Sequence, residues 1–403
     1  MVKGTQMQVT IDRVAHGGYG IAQPNPDTKT IFVRGGLPGD ILDVSITSEK
    51  KNVQFATIEQ VITPGEYRIA DPGQYRCPAA TQGAGCCDFS AVDAQKETAL
   101  KIAVATDQLR RIAGITDATV EVVPIDTTPG WRTRLRLGVD AQGRAGLRAQ
   151  ASHRIVTEHC SAADPRLYEA VEGLRFTPGA EVTAVVDSDG HTHVVESSKP
   201  ARGRRVGKPT RIYAGGPTAT MRVGEDTFEL APTGFWQAHK EIPEIFSGLI
   251  EQWFHHAGGS VGWDLYGGAG ALAPALWRQL DHSPDADAIV VSVDTSQPKS
   301  STLGQAIRMV RGRVDDVVTD LPRPDLIVLD PPRTGAGSTV VAQCAQAGPR
   351  SVLHFACDPA TGARDLASWM ASGYHAENVW LVNAFPASHH FELVFGLKRT
   401  ETD

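Results

Sequence analysis

Four short apolar runs in the C-terminal part of the chain each stop at a residue able to do chemistry. VGWDL carries Asp264 at its end, DAIVVSVD stops at Asp294, DLIVLD stops at Asp330, and SVLHFA gives way to Cys357. Each run is short, apolar and closed by turn formers, so each reads as a buried strand. Helical patterns lie between and around them, from Ile242 to Phe254 and from Thr361 to Trp369, where Leu366 and Trp369 stand three apart. Strands alternating with helices imply a mostly parallel sheet with helices on both faces, and such a sheet takes its ligand outside the carboxyl ends of its strands. The acids and the thiol fall at those ends. HHFELVFGLKR supplies a further strand near the C-terminus.

A chain of 403 residues is too long for one ordinary domain. No apolar run approaches the roughly 18 residues of a membrane span and no secretory h-region opens the chain, so the expected location is the cytoplasm. Six cysteines, at 77, 86, 87, 160, 344 and 357, are too few and too uneven for a disulfide scaffold. A net charge of -7 argues against a nucleic-acid-binding surface all round, yet leaves room for a local basic patch.

Residues 5–62 alternate in short runs (MQVTIDRVA, KTIFVRG, DILDVSI, VQFATIEQV) separated by glycine turns, the pattern of a small all-β barrel of the oligonucleotide-binding kind. Lys3, Arg13, Lys29, Arg34, Lys50 and Lys51 could give it a phosphate-facing side. Cys77, Cys86 and Cys87 follow in a turn-rich segment, and Cys160 comes after SHRIVTEHC. Four thiolates suit zinc or an iron–sulfur cluster, although the spacing fits neither cleanly, because zinc ribbons prefer C-x2-C pairs. Ala91 to Ile112 is helical, with Leu100, Val104, Leu109 and Ile112 at helical intervals and Gly114 as its stop. Residues 131–156 read as strands carrying Arg132, Arg134, Arg136, Arg144, Arg148 and Arg154 against one acid, Asp140. Lys199–Arg211 adds six cations and no acid. Two such runs in an acidic chain point to a localised site for a polyanion.

The turn after Asp264 runs Tyr266-Gly267-Gly268-Ala269-Gly270, which lets a ligand approach backbone N–H groups at a helix start. It is neither G-x-G-x-x-G nor a P-loop. With Asp294 placed to hold ribose hydroxyls, it suggests S-adenosylmethionine more than NAD or ATP. Asp330-Pro331-Pro332-Arg333 is a loop stiffened by two prolines, holding a carboxylate and a guanidinium at the rim of the sheet.

D-P-P-R-T-G, then Phe355-Ala356-Cys357-Asp358-Pro359-Ala360-Thr361, then His389-His390-Phe391-Glu392 resemble the ordered motifs of the RNA uridine-5-methyltransferase family. GYGIA and IFVRGGLPGD resemble its TRAM domain, and Phe235-Trp236-Gln237 resembles its F-x-Q segment. The resemblance implies a multidomain α/β protein: an OB-like TRAM barrel over 1–63, a central α+β domain with the cysteine cluster over 64–224, and a Rossmann-like methyltransferase domain over 225–403. It implies Cys357 as nucleophile, Glu392 as base and Asp330 at the uracil edge. Gln237, Asp264, Tyr266, Gly267, Gly268, Gly270, Asp294 and Asp330 would hold S-adenosylmethionine.

It also implies a [4Fe-4S] cluster bound by C-x5-C-G-G-C and a distant fourth cysteine. Here Cys77, Cys86 and Cys160 match the first, third and fourth positions, Gly83 stands at the second, and Cys87 can substitute. Cys344 matches no motif and reads as core. The implied partner is RNA, ribosomal rather than transfer RNA, and the expected state is a monomer. Two other readings are an amino-group methyltransferase using the Asp-Pro-Pro loop without a covalent adduct, and a catalytically silent RNA-binding or assembly protein.

Overall fold

The structure, a computed structural model, describes residues 4–23, 28–198, 210–283, 287–296, 300–301 and 304–400. The basic run Lys199–Arg211 thus lies almost wholly outside the described residues, as does Lys3. No helix among the described residues is long and apolar enough to cross a membrane.

The N-terminal strands, Gln6–Thr10, Arg13–Val14, Tyr19–Ala22, Thr30–Arg34, Ile41–Glu49 and Val53–Thr63, form one sheet ordered first, fifth, sixth, fourth, third, second. Alternation along them turns Val9, Ile31, Val33, Leu42, Val44 and Ile46 into a common core. Asp40 fastens this barrel to the segment on its C-terminal side. Its buried carboxylate accepts from Leu37 N at 2.7 Å, Gly65 N at 2.8 Å and Arg68 Nη2 at 2.6 Å.

An antiparallel sheet occupies the middle of the chain, in the order Ile155–Val156, Ala145–Arg148, Arg134–Val139, Glu181–Val186, Thr192–Ser197, Thr210–Ala214. Its core includes Cys77, Cys87 and Cys160. The arginines of this sheet do not form one free basic face. Arg136 and Arg148 lie 3.5 and 3.7 Å from Glu181, Arg144 is 2.8 Å from Asp140, and Arg134 donates to the carbonyls of Pro232 and Gly234.

The third layer is an eight-stranded sheet: β1 (Glu121–Val123), β2 (Val261–Leu265), β3 (Ile289–Asp294), β4 (Ile307–Arg311), β5 (Leu326–Leu329), β6 (Ser351–Ala356), β7 (Tyr374–Val382) and β8 (Glu392–Arg399). Its order is β4-β3-β2-β5-β6-β8-β7-β1, parallel from β4 to β6, with β8 antiparallel between β6 and β7. Helices α1 (Ala94–Gln108), α2 (Ile242–Phe254), α3 (Ala273–Trp277), α4 (Gly337–Ala347) and α5 (Pro359–Ala371) flank it. Leu100 and Val104 of α1 and Leu366 and Trp369 of α5 pack in one core with Trp263, Leu329 and Val352, whereas Phe246 and Ile250 of α2 pack with Val328 and Phe355 in another. Helix α1 and strand β1 precede the middle sheet in sequence but belong to this layer by packing. A π turn over Leu109–Ala113 ends the helix at Gly114, whose φ is 74°.

Polar residues of α1 also reach into this layer. Glu97 and Lys101, both essentially unexposed, pair at 2.7 Å, and Lys101 Nζ donates to Asn383 Oδ1 at 2.6 Å. Removing one partner of a buried pair strands the other charge, at a cost of about 3–5 kcal/mol. Glu97→Ala should therefore lower the urea midpoint of unfolding markedly. A midpoint within error of the parent would show that the pair carries no such load.

Candidate active site

Strand register brings the reactive residues together. Leu329 of β5 stands opposite His354 of β6, and Ala356 of β6 stands opposite Leu393 of β8. Asp330, Cys357 and Glu392 therefore emerge at the same edge of three adjacent strands. Glu392 is 3% exposed and its Oε2 has no hydrogen-bond partner. Burial, and then the charge of Asp330, push its carboxyl well above the usual range, while Arg333 opposes them. Burial likewise raises Asp330 to about 7, helped by Asp264. Cys357 is pushed up to about 12, by burial first and then by Glu392 and Asp330.

The loop after Asp330 is braced by α5. Thr361 Oγ1 donates to Arg333 O at 3.1 Å, Arg364 Nη2 to Thr334 O at 2.6 Å, and Asp365 accepts from Ala336 N at 2.6 Å. Gly335 lies at φ 74°, where a Cβ would come within 2.4 Å of Asp365 Oδ2. Asp358 caps α5, accepting from Thr361 N at 2.9 Å, and so fixes the turn that presents Cys357. Burial holds His390 down at about 3, with His389 and Arg333 acting the same way, so its neutral Nε2 accepts from Arg333 Nη2 at 2.9 Å.

A cavity of about 1180 Å³ opens at this edge, lined by Gln237, Tyr266, Gly268, Asp294, Asp330, Arg333, Cys357 and Glu392 among others. Gln237 Nε2 donates to Asp330 Oδ2 at 3.2 Å, which ties the F-x-Q segment to the Asp-Pro-Pro loop. Asp264, Gly267 and Gly270 stay out of this lining, although Gly267 lines a smaller adjoining pocket with Gln237, Tyr266 and Gly268. Asp264 is fully buried and raised by burial to about 6; it accepts from Ser292 Oγ at 2.7 Å beneath the glycine turn. A Cβ on Gly267 would lie 2.2 Å from Asp264 Oδ2 and 2.4 Å from Ser292 Oγ. Tyr266, at φ 63°, turns the chain away from β2. Asp294 accepts from Ser296 N and Oγ, both at 2.7 Å, so part of its carboxylate shapes its own loop.

Sequence reasoning passed over Arg313 and Asp315, which also line the cavity, as does Phe235 of the F-x-Q segment. The signal for Arg313 and Asp315 was present, since R-G-R-V-D-D follows a strand whose carboxyl end faces the same crevice. His390 lies within one of the family motifs, but nothing in its sequence neighbourhood marks it as the partner of Arg333.

Away from this cavity, the sulfurs of Cys77, Cys86, Cys87 and Cys160 all lie within 4.8 Å of one another. Four converging thiols are the donor set of a metal centre, so these residues suit a bound metal. Cys344 is buried in the sheet core and raised by burial to about 12, as an inert core thiol should be.

The raised pKa of Asp330 has a direct consequence for stability. The folded chain keeps its proton up to about pH 7, whereas the unfolded chain releases it near 3.8. This stability is present below the unfolded value and lost as pH rises through the folded one. Relative to Asp330→Asn, the ligand-free parent should lose melting temperature between about pH 4 and 7 and change little above. Parallel curves for the two proteins would contradict the assignment.

The TRAM domain family matches residues 2–58. An uncharacterised RNA methyltransferase of Corynebacterium glutamicum is 42% identical, covering 98% of this chain and 97% of its own length. A 23S rRNA (uracil-C5)-methyltransferase of Halomonas elongata is 25% identical, over 98% of this chain and 90% of its own. Among solved structures, the tRNA (uracil-54, C5)-methyltransferase of Pyrococcus abyssi, in complex with S-adenosyl-L-homocysteine, superposes with a TM-score of 0.69 at 18% identity, covering 97% of this chain and all of the other. With a TRAM barrel, a methyltransferase sheet and relatives matched over nearly their whole length, the chain belongs to the S-adenosylmethionine-dependent RNA methyltransferase family that includes the uracil-C5 enzymes.

Proposed function

We propose that this protein methylates carbon 5 of uridine in RNA, ribosomal rather than transfer RNA, through a transient bond between Cys357 and carbon 6 of the base. The observation that carries the reading is a thiol and an unpartnered buried carboxylate at paired strand ends in one cavity. The names of the relatives point the same way, and the barrel beside the catalytic layer favours a structured ribosomal target whose base is flipped out to be reached. The protein acts as a monomer in the cytoplasm.

Carbon 5 of uracil is a weak nucleophile. Addition of the Cys357 thiolate to carbon 6 converts the ring to an enolate with a nucleophilic carbon 5. Bound S-adenosylmethionine supplies an electrophilic methyl group and brings a positive charge into the cavity. Gln237, Tyr266, Gly267, Gly268 and Asp294 hold it, with Asp264 and Gly270 shaping the turn from behind. Cys357 and Glu392 would both ionise more readily beside an added cation, which offsets the burial that favours their protonated forms. Once carbon 5 has taken the methyl group and the donor has left as a neutral thioether, Glu392 would take the proton from carbon 5, and the electron pair released would re-form the ring double bond as the Cys357 sulfur leaves. A carboxylate raised by burial is a strong base once ionised. Asp330, fixed by Gln237, receives the uracil edge, and Arg333 steadies the loop.

Cys357→Ala should bind S-adenosylmethionine normally, yet transfer no methyl group and form no adduct with RNA carrying 5-fluorouridine. Glu392→Gln should slow turnover about 10²–10⁴-fold and accumulate a protein–RNA adduct that denaturing gels resolve. An active Cys357→Ala enzyme, or one still trapped by the fluorinated RNA, would sink the mechanism. Gly267→Ala tests the donor half alone: calorimetry should show S-adenosylmethionine affinity reduced tenfold or more, and unchanged affinity would place the donor elsewhere.

A further inference from the structure

We propose that Cys77, Cys86, Cys87 and Cys160 hold a single four-coordinate metal ion of the zinc class in place of the four-iron cubane that the resemblance implies. The argument is one of size. Cys77 and Cys86 sulfurs lie 3.7 Å apart, Cys87 and Cys160 sulfurs 3.4 Å apart, and no pair among the four exceeds 4.8 Å. Zinc–sulfur bonds of about 2.3 Å at tetrahedral angles set the sulfurs roughly 3.8 Å apart. In a cubane each thiolate binds its own iron, at a corner of the cube, and the four sulfurs stand farther out, roughly 6 Å from one another.

Three of the four sulfurs are held from within the core, while Cys86 is half-buried and a cavity of about 560 Å³ runs along Cys87, Ala84 and Ala149. Cys77, Cys87 and Cys160 are 0%, 2% and 2% exposed, packed with Ala79, Ala84 and Ala149. Drawing the buried sulfurs of Cys77 and Cys160 farther apart requires their backbone to move. The backbone here is tied on each side: Thr81 N donates to Cys77 O, Ala84 N to Ala79 O, and Cys160 N to the Tyr168 hydroxyl at 2.9 Å.

Position 83 gives an independent reason. Gly83, where the cubane motif has its second cysteine, lies at φ +85°, and a Cβ there would stand 3.0 Å from Arg154 Nη2. A side chain at that position is strained by its backbone conformation. Cys87, directly after Cys86, supplies the fourth sulfur, and two ligands on consecutive residues draw the donors inward. Asp88 comes next and accepts from His389 N at 2.9 Å, so the ion fastens the segment that holds the loop before Glu392. A redox-inert ion suffices for that task.

Metal content of the full chain, purified without oxygen from cells supplied with both zinc and iron, decides the matter. The expected result is about one zinc per chain that resists a mild chelator, with no acid-labile sulfide. Protein from cobalt-supplemented cells should show the ligand-field absorption of tetrahedral cobalt–thiolate. Cys86→Ser should shift that spectrum toward three sulfur ligands; should this variant fail to fold, the count on the unaltered chain still stands. Four irons with matching sulfide and a broad visible charge-transfer band would overturn the proposal. So would a chain that holds no metal tightly.

Discussion

Three parts of the chain meet on the carboxylate of Glu97. One oxygen pairs with Lys101 four residues on, the other with Arg76, which immediately precedes Cys77, the first of the four clustered cysteines. Both oxygens also accept from Ala387 N at 3.0 Å, and Asn383 Nδ2 approaches at 3.3 Å. Burial pushes this carboxyl up, yet Lys101 and Arg76 hold it below its ordinary value, so it stays charged. A buried ion pair adds little net stability over an apolar substitute, but it tolerates few alternative arrangements. Here it fixes the cysteine segment, α1 and the chain from Asn383 to Ala387 in one geometry. Ala387, in the left-handed region at φ 64°, is the bend held in that way. Glu392 lies five residues beyond it, at the start of β8.

The same preference for buried charge governs the cavity with opposite effect. Asp264, Asp330 and Glu392 sit close together with few cations to balance them, and burial is the leading reason each is reluctant to ionise. Arg333 is the cation that faces both Cys357 and Glu392. A cation brought into such a site would favour the ionised form of each of these groups.

Much of this was legible in the sequence because the chemistry lies at strand ends, where apolar runs stop abruptly at Asp264, Asp294, Asp330 and Cys357. Strand termini set by hydrophobic runs translate directly into a shared edge once the strands align. What the sequence did not show is what depends on packing between distant segments. Helix α1 carries apolar residues at ordinary helical spacing, which cannot reveal that they complete a core formed over 150 residues later. The arginines of 131–156 suggest one basic face by their number, but strand alternation and the acids on neighbouring strands, Glu181 above all, disperse and neutralise them. Asp264 has the strand-end position of a ligand group. Its burial beneath Gly267 makes it the support of the turn instead.

The barrel, too, is joined to the chemistry by contact and not by a linker alone. Gly18, at φ +75°, lies so close to His389 that a Cβ would come within 2.8 Å of its Cβ. The His389 ring lies 3.8 Å from that of His390, and His390 accepts from Arg333 at the mouth of the cavity. His389 is held from the other side by Asp88, next to the cysteine centre. The barrel turn therefore packs on the segment whose His390 meets Arg333, a few residues before Glu392. A side chain at 18 would have to displace His389, so glycine here lets the barrel sit close against the segment that leads into Glu392.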